Sequence, residues 1–318
     1  MIDFRYHLVS IVAIFLALAL GIVLGSTTLS DSVSDTLRQQ ANSAAKTAQQ
    51  ARTQQRQLQH QMNGQEQLAR GLAPQIVMNR LKGQSLVLVE MPGAGEDGIE
   101  RIGELAKDAG AAVTGRVTVQ KKILNDDQRA TVDELATRLR PDGVEYPDGA
   151  SAYDKAGTVL ASSIVTKDPA KSGREDAAGG AVLNAFAQAG YITTSGKPGQ
   201  HATLAVVLAP ASAYAYDGGG DDNKALISLA AALDGAGRGT VVGGPPTSAQ
   251  EGGFIAALRD SDTKDSVSAV DVVDTASGQI VTILALQNEM SGKSGQYGTG
   301  AGASGFLPSP APEAGKNG

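Results

Sequence analysis

The chain is 318 residues long, 42% hydrophobic and 4% aromatic, with no Trp and no Cys. That length and apolar content allow a sizeable core, but with so few rings Ala and Gly must do much of the packing. Absence of Cys excludes disulfides, thiolate catalysis and Cys-based metal sites, and a formal net charge of −6 argues against nucleic acid as a partner, which needs a basic face to neutralise phosphates.

Residues 8–24, from Leu8 to Leu24, read LVSIVAIFLALALGIVL, seventeen positions without a charge; Gly25 and Ser26 extend the stretch to nineteen. That is about the minimum that crosses a hydrocarbon core as a helix. Leu8, Phe15, Leu16, Leu20 and Leu24 are its bulky apolar anchors. The run is longer than a cleaved signal peptide needs and lacks a clear small-x-small site after it, so the segment 1–29 reads as an uncleaved transmembrane anchor. Arg5 precedes the span, while Asp31 and Asp35 follow it before Arg38. The positive-inside rule then predicts a single pass of the cytoplasmic membrane, N-terminus inside and everything after it extracytoplasmic.

Residues 30–80 are rich in Gln and Ala, with good helix propensity and no Pro before Pro74. Counting in sevens from Leu37 gives Leu37, Ala44, Ala51, Leu58, Gln65 and Leu72, with Ala41, Ala48, Gln55, Met62, Ala69 and Ile76 between them. Ten of these twelve positions are apolar, the 3–4 spacing of a coiled-coil stem. The seam of the firmest part, 35–63, is Leu37, Ala41, Ala44, Ala48, Ala51, Leu58 and Met62. Gly64, Gly71 and Pro74 are expected to weaken or break the helix beyond it. A weak Ala seam on a lone helix needs a partner to be stable, which predicts a homodimer or higher oligomer; the plainer reading is a polar spacer. Residues 30–83 hold seven Lys/Arg against three acids, and residues 1–29 are neutral, which leaves −10 for residues 84–318. The basic stem is either a solvated helix face or one drawn to anionic lipid or an acidic neighbour.

Residues 81–290 alternate strand-like and helix-like runs. Strands are predicted at Ser85–Met91, Ala111–Val119, Tyr191–Thr194, Thr203–Ala209, Gly239–Gly243 and Val267–Val273. Helices are predicted over about 97–109, 125–140, 153–165, 176–189, 222–234, 248–260 and 278–290. KDAGAAV (107–113), AQAGYIT (187–193) and DGAGRGTVV (234–242) repeat one signature, a helix ending in Gly and then a strand. The predicted fold class is α/β: a mostly parallel, Rossmann-like sheet with covering helices, preceded by the transmembrane helix and the stem. Residues 291–318, rich in Gly, Ser, Ala and Pro, read as a disordered tail.

Candidate chemistry is sparse. Gly93-Ala94-Gly95-Glu96-Asp97-Gly98 matches G-x-G-x-x-G between a strand and a helix. Glu96 and Asp97 would oppose a pyrophosphate, however, and the second strand ends Val119-Gln120 without the acid that binds ribose. A tight turn is the better reading. His7, His60 and His201 lack a second ligand at helical spacing, and the five Met are scattered. The acidic loop from Asp217 to Asp222 reads as a helix cap rather than a calcium loop. No nucleophile elbow occurs, so the sequence supports no enzyme, and no cofactor or metal ligand is assigned.

Three blocks carry a resemblance: DFRYHLVSIVAIFLALALGIVLGS (3–26), LKGQSLVLVEMP (81–92) and GQIVTILALQNEMSGKSGQYGTG (278–300), with GQYGTG the most specific part. Together they resemble the mycobacterial copper-transport protein B (MctB) family of actinobacterial envelope proteins. The resemblance implies a role in copper transport or homeostasis and supplies no copper ligand. Gln296, Tyr297, Gly298 and Thr299 form a candidate docking element; their glycine neighbours also suit a simple turn. Anchor, stem and catalytically silent domain suggest an alternative: a non-enzymatic envelope scaffold that binds a protein partner, for example to regulate cell-wall hydrolysis or cell division.

Overall fold

The computed structural model describes residues 3–214 and 219–309, with the side chains of 3, 26–36, 96–97 and 219–221 outside that description. The chain divides into two compact units, Met1–Gln65 and Glu66–Gly318. The first is helix α1 (Asp3–Val77) up to the boundary. Within it Phe4–Gly25, 22 residues, is long and apolar enough to cross a membrane, and none of it is buried. Leu8, Phe15, Leu16, Leu20 and Leu24 are all exposed there, as are Leu37, Ala41, Ala44, Ala48, Ala51, Leu58 and Met62 further on.

The helix does not break at Gly64, Gly71 or Pro74, contrary to expectation; it continues to Val77. Each glycine costs about 1 kcal/mol in a helix interior, and Pro74 removes one amide donor. Packing offsets these losses. Ala69, Ala73 and Val77 lie on one stripe, and this stripe joins the apolar layer of the second unit together with Leu81. The sheet domain thus begins inside the segment expected to be stem.

The second unit is built on seven strands: β1 (Ser85–Glu90), β2 (Ala112–Val119), β3 (Ile192–Gly196), β4 (Leu204–Leu208), β5 (Thr240–Gly243), β6 (Ser268–Val270) and β7 (Gln296–Tyr297). Their order is β3-β2-β1-β4-β5-β6-β7. Five pairings are parallel and one, β2 with β3, is antiparallel. The sheet is therefore mixed, with an antiparallel edge strand on an otherwise parallel core. Residues of β1 alternate between faces: Leu86 and Leu88 enter one apolar layer, Val87 and Val89 the other. β4 does the same, and burial on both faces explains the unbroken apolar runs of these two strands.

One layer consists of the end of α1 with α2 (Glu96–Asp108) and α8 (Ala276–Glu289). The other holds α3 (Arg129–Arg138), α4 (Ala152–Ile164), α5 (Ala177–Gln188), α6 (Gly219–Ala236) and α7 (Phe254–Asp260). Ser151 and Asp154 cap α4 as a reciprocal capping box, and Asp176 caps α5. Gly157 lets α4 approach the backbone of α6 closely: a Cβ there would lie 3.1 Å from Leu229 Cα. Of the three helix–Gly–strand signatures, Gly110 and Gly190 take the left-handed cap, with φ of 88° and 75°. The third ends instead on an ordinary helical hydrogen bond from Gly237 N–H to Leu233 O, 2.8 Å. The helix expected at 248–260 is split by Gly252 and Gly253; its first half is a 3-10 turn, Pro246–Ala249. Part of the acidic loop at 217–222, expected as a cap, falls outside the described residues.

The tail expected to be disordered from 291 onward is ordered through 309, while 310–318 lie outside the described residues. Gln296–Tyr297 is the last strand of the sheet, parallel to β6. Two buried carboxylates hold it. Asp271, fully buried, accepts from the N–H groups of Thr299 (2.8 Å) and Gly300 (3.0 Å) and from Arg259 Nη1 (2.8 Å). Arg259 also donates to the carbonyls of Tyr297 (3.0 Å) and Ala301 (2.9 Å). Gly298, at φ 126°, is needed because a Cβ there would collide with the Asp271 carboxylate. At the other end Glu289 accepts from Ser268 N–H (2.8 Å) and Ser268 Oγ (2.5 Å), and Ser268 Oγ in turn accepts from Gly295 N–H (3.0 Å). Composition is a poor guide here because glycines that loosen a free chain also admit this close approach.

Asp271→Ala should strand the buried Arg259 charge and cost about 3–5 kcal/mol, read by urea unfolding, with faster amide exchange at Thr299 and Gly300. Burial pushes the Glu289 carboxyl from 4.5 up to about 8. Because the folded value is raised, its contribution is fully present below pH 4.5 and is lost as pH rises to about 8. Glu289→Gln should therefore flatten the stability–pH curve in that window by up to about 1.4 kcal/mol per pH unit relative to wild type.

Candidate functional site

The strand order reverses direction between β1 and β4. After β1 the chain enters α2 in one layer, and after β4 it enters α6 in the other. Open α/β sheets leave a crevice at such a switch, beyond the carboxyl ends of the strands. Here a cavity of about 320 Å³ lies beyond β4 and β5. Its floor is Leu208, Ala209 and Gly243; Gly98 and Arg101 of α2, with Gly95 just before it, form one wall, and Val273, Asp274 and Gln279 form the other.

The glycine loop that leads into this wall is a tight turn. Gly93 sits at φ 82°, Ala94 N–H donates to Met91 O (3.0 Å), and Gly95 is the N-cap of α2 with no side-chain cap. The opposite wall is tied to α1. Glu66 places both carboxylate oxygens 3.0 Å from the N–H of Ala276, the first residue of α8, and Arg70 Nη2 donates to Glu66 Oε1 (2.8 Å). Thr275 Oγ1 accepts from Gly278 N–H (3.0 Å), which completes the cap of α8. Asp274, beside them at the cavity mouth, has its pKa raised by loss of water at the wall and then by the charges of Glu66 and Asp271.

Donors that suit copper do not converge. Among the described residues no group of three or more His, Asp or Glu is placed to hold a metal ion. His7 and His60 are exposed on α1. His201 is buried, with Nδ1 and Nε2 each 3.0 Å from a carbonyl oxygen, those of Arg174 and Ser162, so neither nitrogen is open to a metal. Met91 is buried in the apolar layer, while Met62 and Met78 stand exposed and apart.

The residues singled out in the sequence thus fall in separate places. The residues expected as seam and anchor lie on α1, and Gln296, Tyr297, Gly298 and Thr299 are engaged internally at the sheet edge. The residues that build the crevice and its tie to α1 (Glu66, Arg101, Asp274 and Gln279) carried no local signal beyond the G-x-G-x-x-G spacing next to Arg101.

The family described as "Copper transport outer membrane protein, MctB" matches residues 1–308. The "Copper transporter MctB" of Mycobacterium tuberculosis (strain ATCC 25618 / H37Rv) is 30% identical over 237 residues, which cover 72% of this chain and 74% of that protein; the same figures hold for Mycobacterium bovis. That of Mycobacterium leprae (strain TN) is 29% identical over 242 residues, 73% of this chain and 75% of that one. The match runs from the apolar helix through the whole sheet to the GQYGTG clasp, and the chain belongs to the MctB family.

Proposed function

We propose that this chain is a single-pass protein of the cell envelope that serves copper transport or homeostasis, with copper as cargo rather than as a resident cofactor. The observation that carries this reading is the family match across residues 1–308, whose curated relatives are named as copper transporters. In this reading Phe4–Gly25 is the anchor, with the N-terminus cytoplasmic and the sheet domain outside. One helix encloses no pore, so passage of an ion requires several copies or a partner protein. The stem supplies the means. Leu37, Leu58 and Met62 are 61%, 54% and 60% exposed on a helix with a heptad repeat. Copies anchored by the same end meet in parallel, and the same seam then faces itself.

A second reading rests on the scattered copper donors: the chain is an envelope scaffold that recruits a protein partner, for example one that acts on the cell wall or in division, and is not itself an enzyme. One set of strains separates the two. A strain that lacks the gene should be copper-sensitive and should recover with the full-length chain, whereas L37E/L58E should lose cross-linked oligomers in the membrane and recover at least about tenfold less growth in copper. Growth or septal defects independent of copper would replace the transport reading with the scaffold. Full recovery by an L37E/L58E chain shown to be monomeric would remove the stem from the mechanism.

A further inference from the structure

The crevice beyond β4 and β5 has two chemically opposite walls. Gly98 and Arg101, three apart on α2, share one stripe of the helix, with Gly95 at its N-cap. The glycines keep that wall low: a Cβ on Gly98 would meet only Leu208, at 3.7 Å. Arg101, one turn further, forms no ion pair or hydrogen bond among the described residues.

The facing wall accepts. Gln279 is only 7% exposed and lines the cavity. Its Nε2 donates to Val273 O (3.1 Å), which fixes Oε1 as the other end of the amide, and Oε1 has no partner among the described residues. Asp274 stands beside it at the mouth. Leu208, Ala209 and Pro245 leave an aliphatic surface between the walls.

These demands narrow the ligand. A plain anion would satisfy Arg101 but face the Asp274 carboxylate and the Gln279 oxygen. A plain cation would meet Arg101. A dinucleotide would lack the ribose-binding acid, since the second strand ends at Val119-Gln120, and would exceed a cavity at the small end of ligand sites. A small molecule with one negative and one positive end answers every group. We propose that the crevice binds a free α-amino acid with a small aliphatic side chain. Its carboxylate lies against Arg101, its ammonium donates to Gln279 Oε1 and Asp274, and its side chain rests on the aliphatic floor. This site goes beyond the copper reading and does not depend on it.

Titration calorimetry on the full chain in lipid nanodiscs, with L-alanine and L-valine as probes, tests the assignment. Binding should weaken at least about tenfold for N-acetyl-L-alanine, which lacks the ammonium, and for L-alaninamide, which lacks the carboxylate. R101Q, at an exposed position where folding is not at stake, should weaken L-valine by about the same factor. Equal affinity for N-acetyl-L-alanine would reduce the site to one for simple anions and overturn the proposal; equal affinity for L-alaninamide would do so from the other side. Tighter binding of L-alanyl-L-alanine than of either single residue would replace the free amino acid with a peptide. No heat of binding for L-alanine or L-valine up to about 10 mM, or an R101Q chain that binds as wild type does, would also overturn it.

Discussion

Burial of the central strands on both faces governs the rest of the structure. Leu86 and Leu88 of β1, with Leu204, Val206 and Leu208 of β4, must be covered on one side, and Val87, Val89, Ala205 and Val207 on the other. The Leu and Val side chains among these contribute about 1.5–3 kcal/mol each when removed from water, so neither face can stay open. The second face is covered by five helices. The first has only α2 and α8 of its own, and the last turns of α1 close it with Ala69, Ala73 and Val77. The need to cover this face is what carries the helix through Gly64, Gly71 and Pro74. Because Glu66 also caps α8, the same turns are joined to the sheet domain by packing and by charge.

The polar groups inside this apolar frame sit where the chain must be held rather than merely buried. Asp271 and Glu289 grip the two ends of the GQYGTG segment, Asp271 through Thr299, Gly300 and Arg259 and Glu289 through Ser268. The arrangement accounts for the residue types of the segment. Gly298 passes against a carboxylate, Gly295 lies so near the Tyr297 hydroxyl that a side chain would collide, and Tyr297 is buried against the first layer. A clasp built this way ends the sheet with two paired residues, which leaves little open edge for another chain to join.

The crevice follows from topology in the same sense. Helices leave β1 and β4 on opposite sides of the sheet, so a gap opens where they part, and the small residues at Gly95, Gly98 and Gly243 keep it from filling. Its far wall is Val273 and Asp274, just before the α8 cap that Glu66 completes. Copper enters through the family relationship, and the donors that would hold it are not assembled among the described residues of a single chain.

The sequence by itself determined what depends on local pattern. The uncharged run at 8–24, the heptad from Leu37, the alternation of strands and helices and the left-handed caps at Gly110 and Gly190 are all set by residue spacing and by glycine's freedom at positive φ. Tertiary structure decided what depends on residues far apart. The antiparallel turn of β3 and the passage of α1 through two glycines and a proline required partners that no local window contains. Asp271 meets Thr299 from 28 positions away, and Glu66 meets Ala276 from 210. Such hydrogen bonds form only after the sheet has brought both ends together, and a composition rich in Gly and Ser looks the same whether or not a buried carboxylate awaits it.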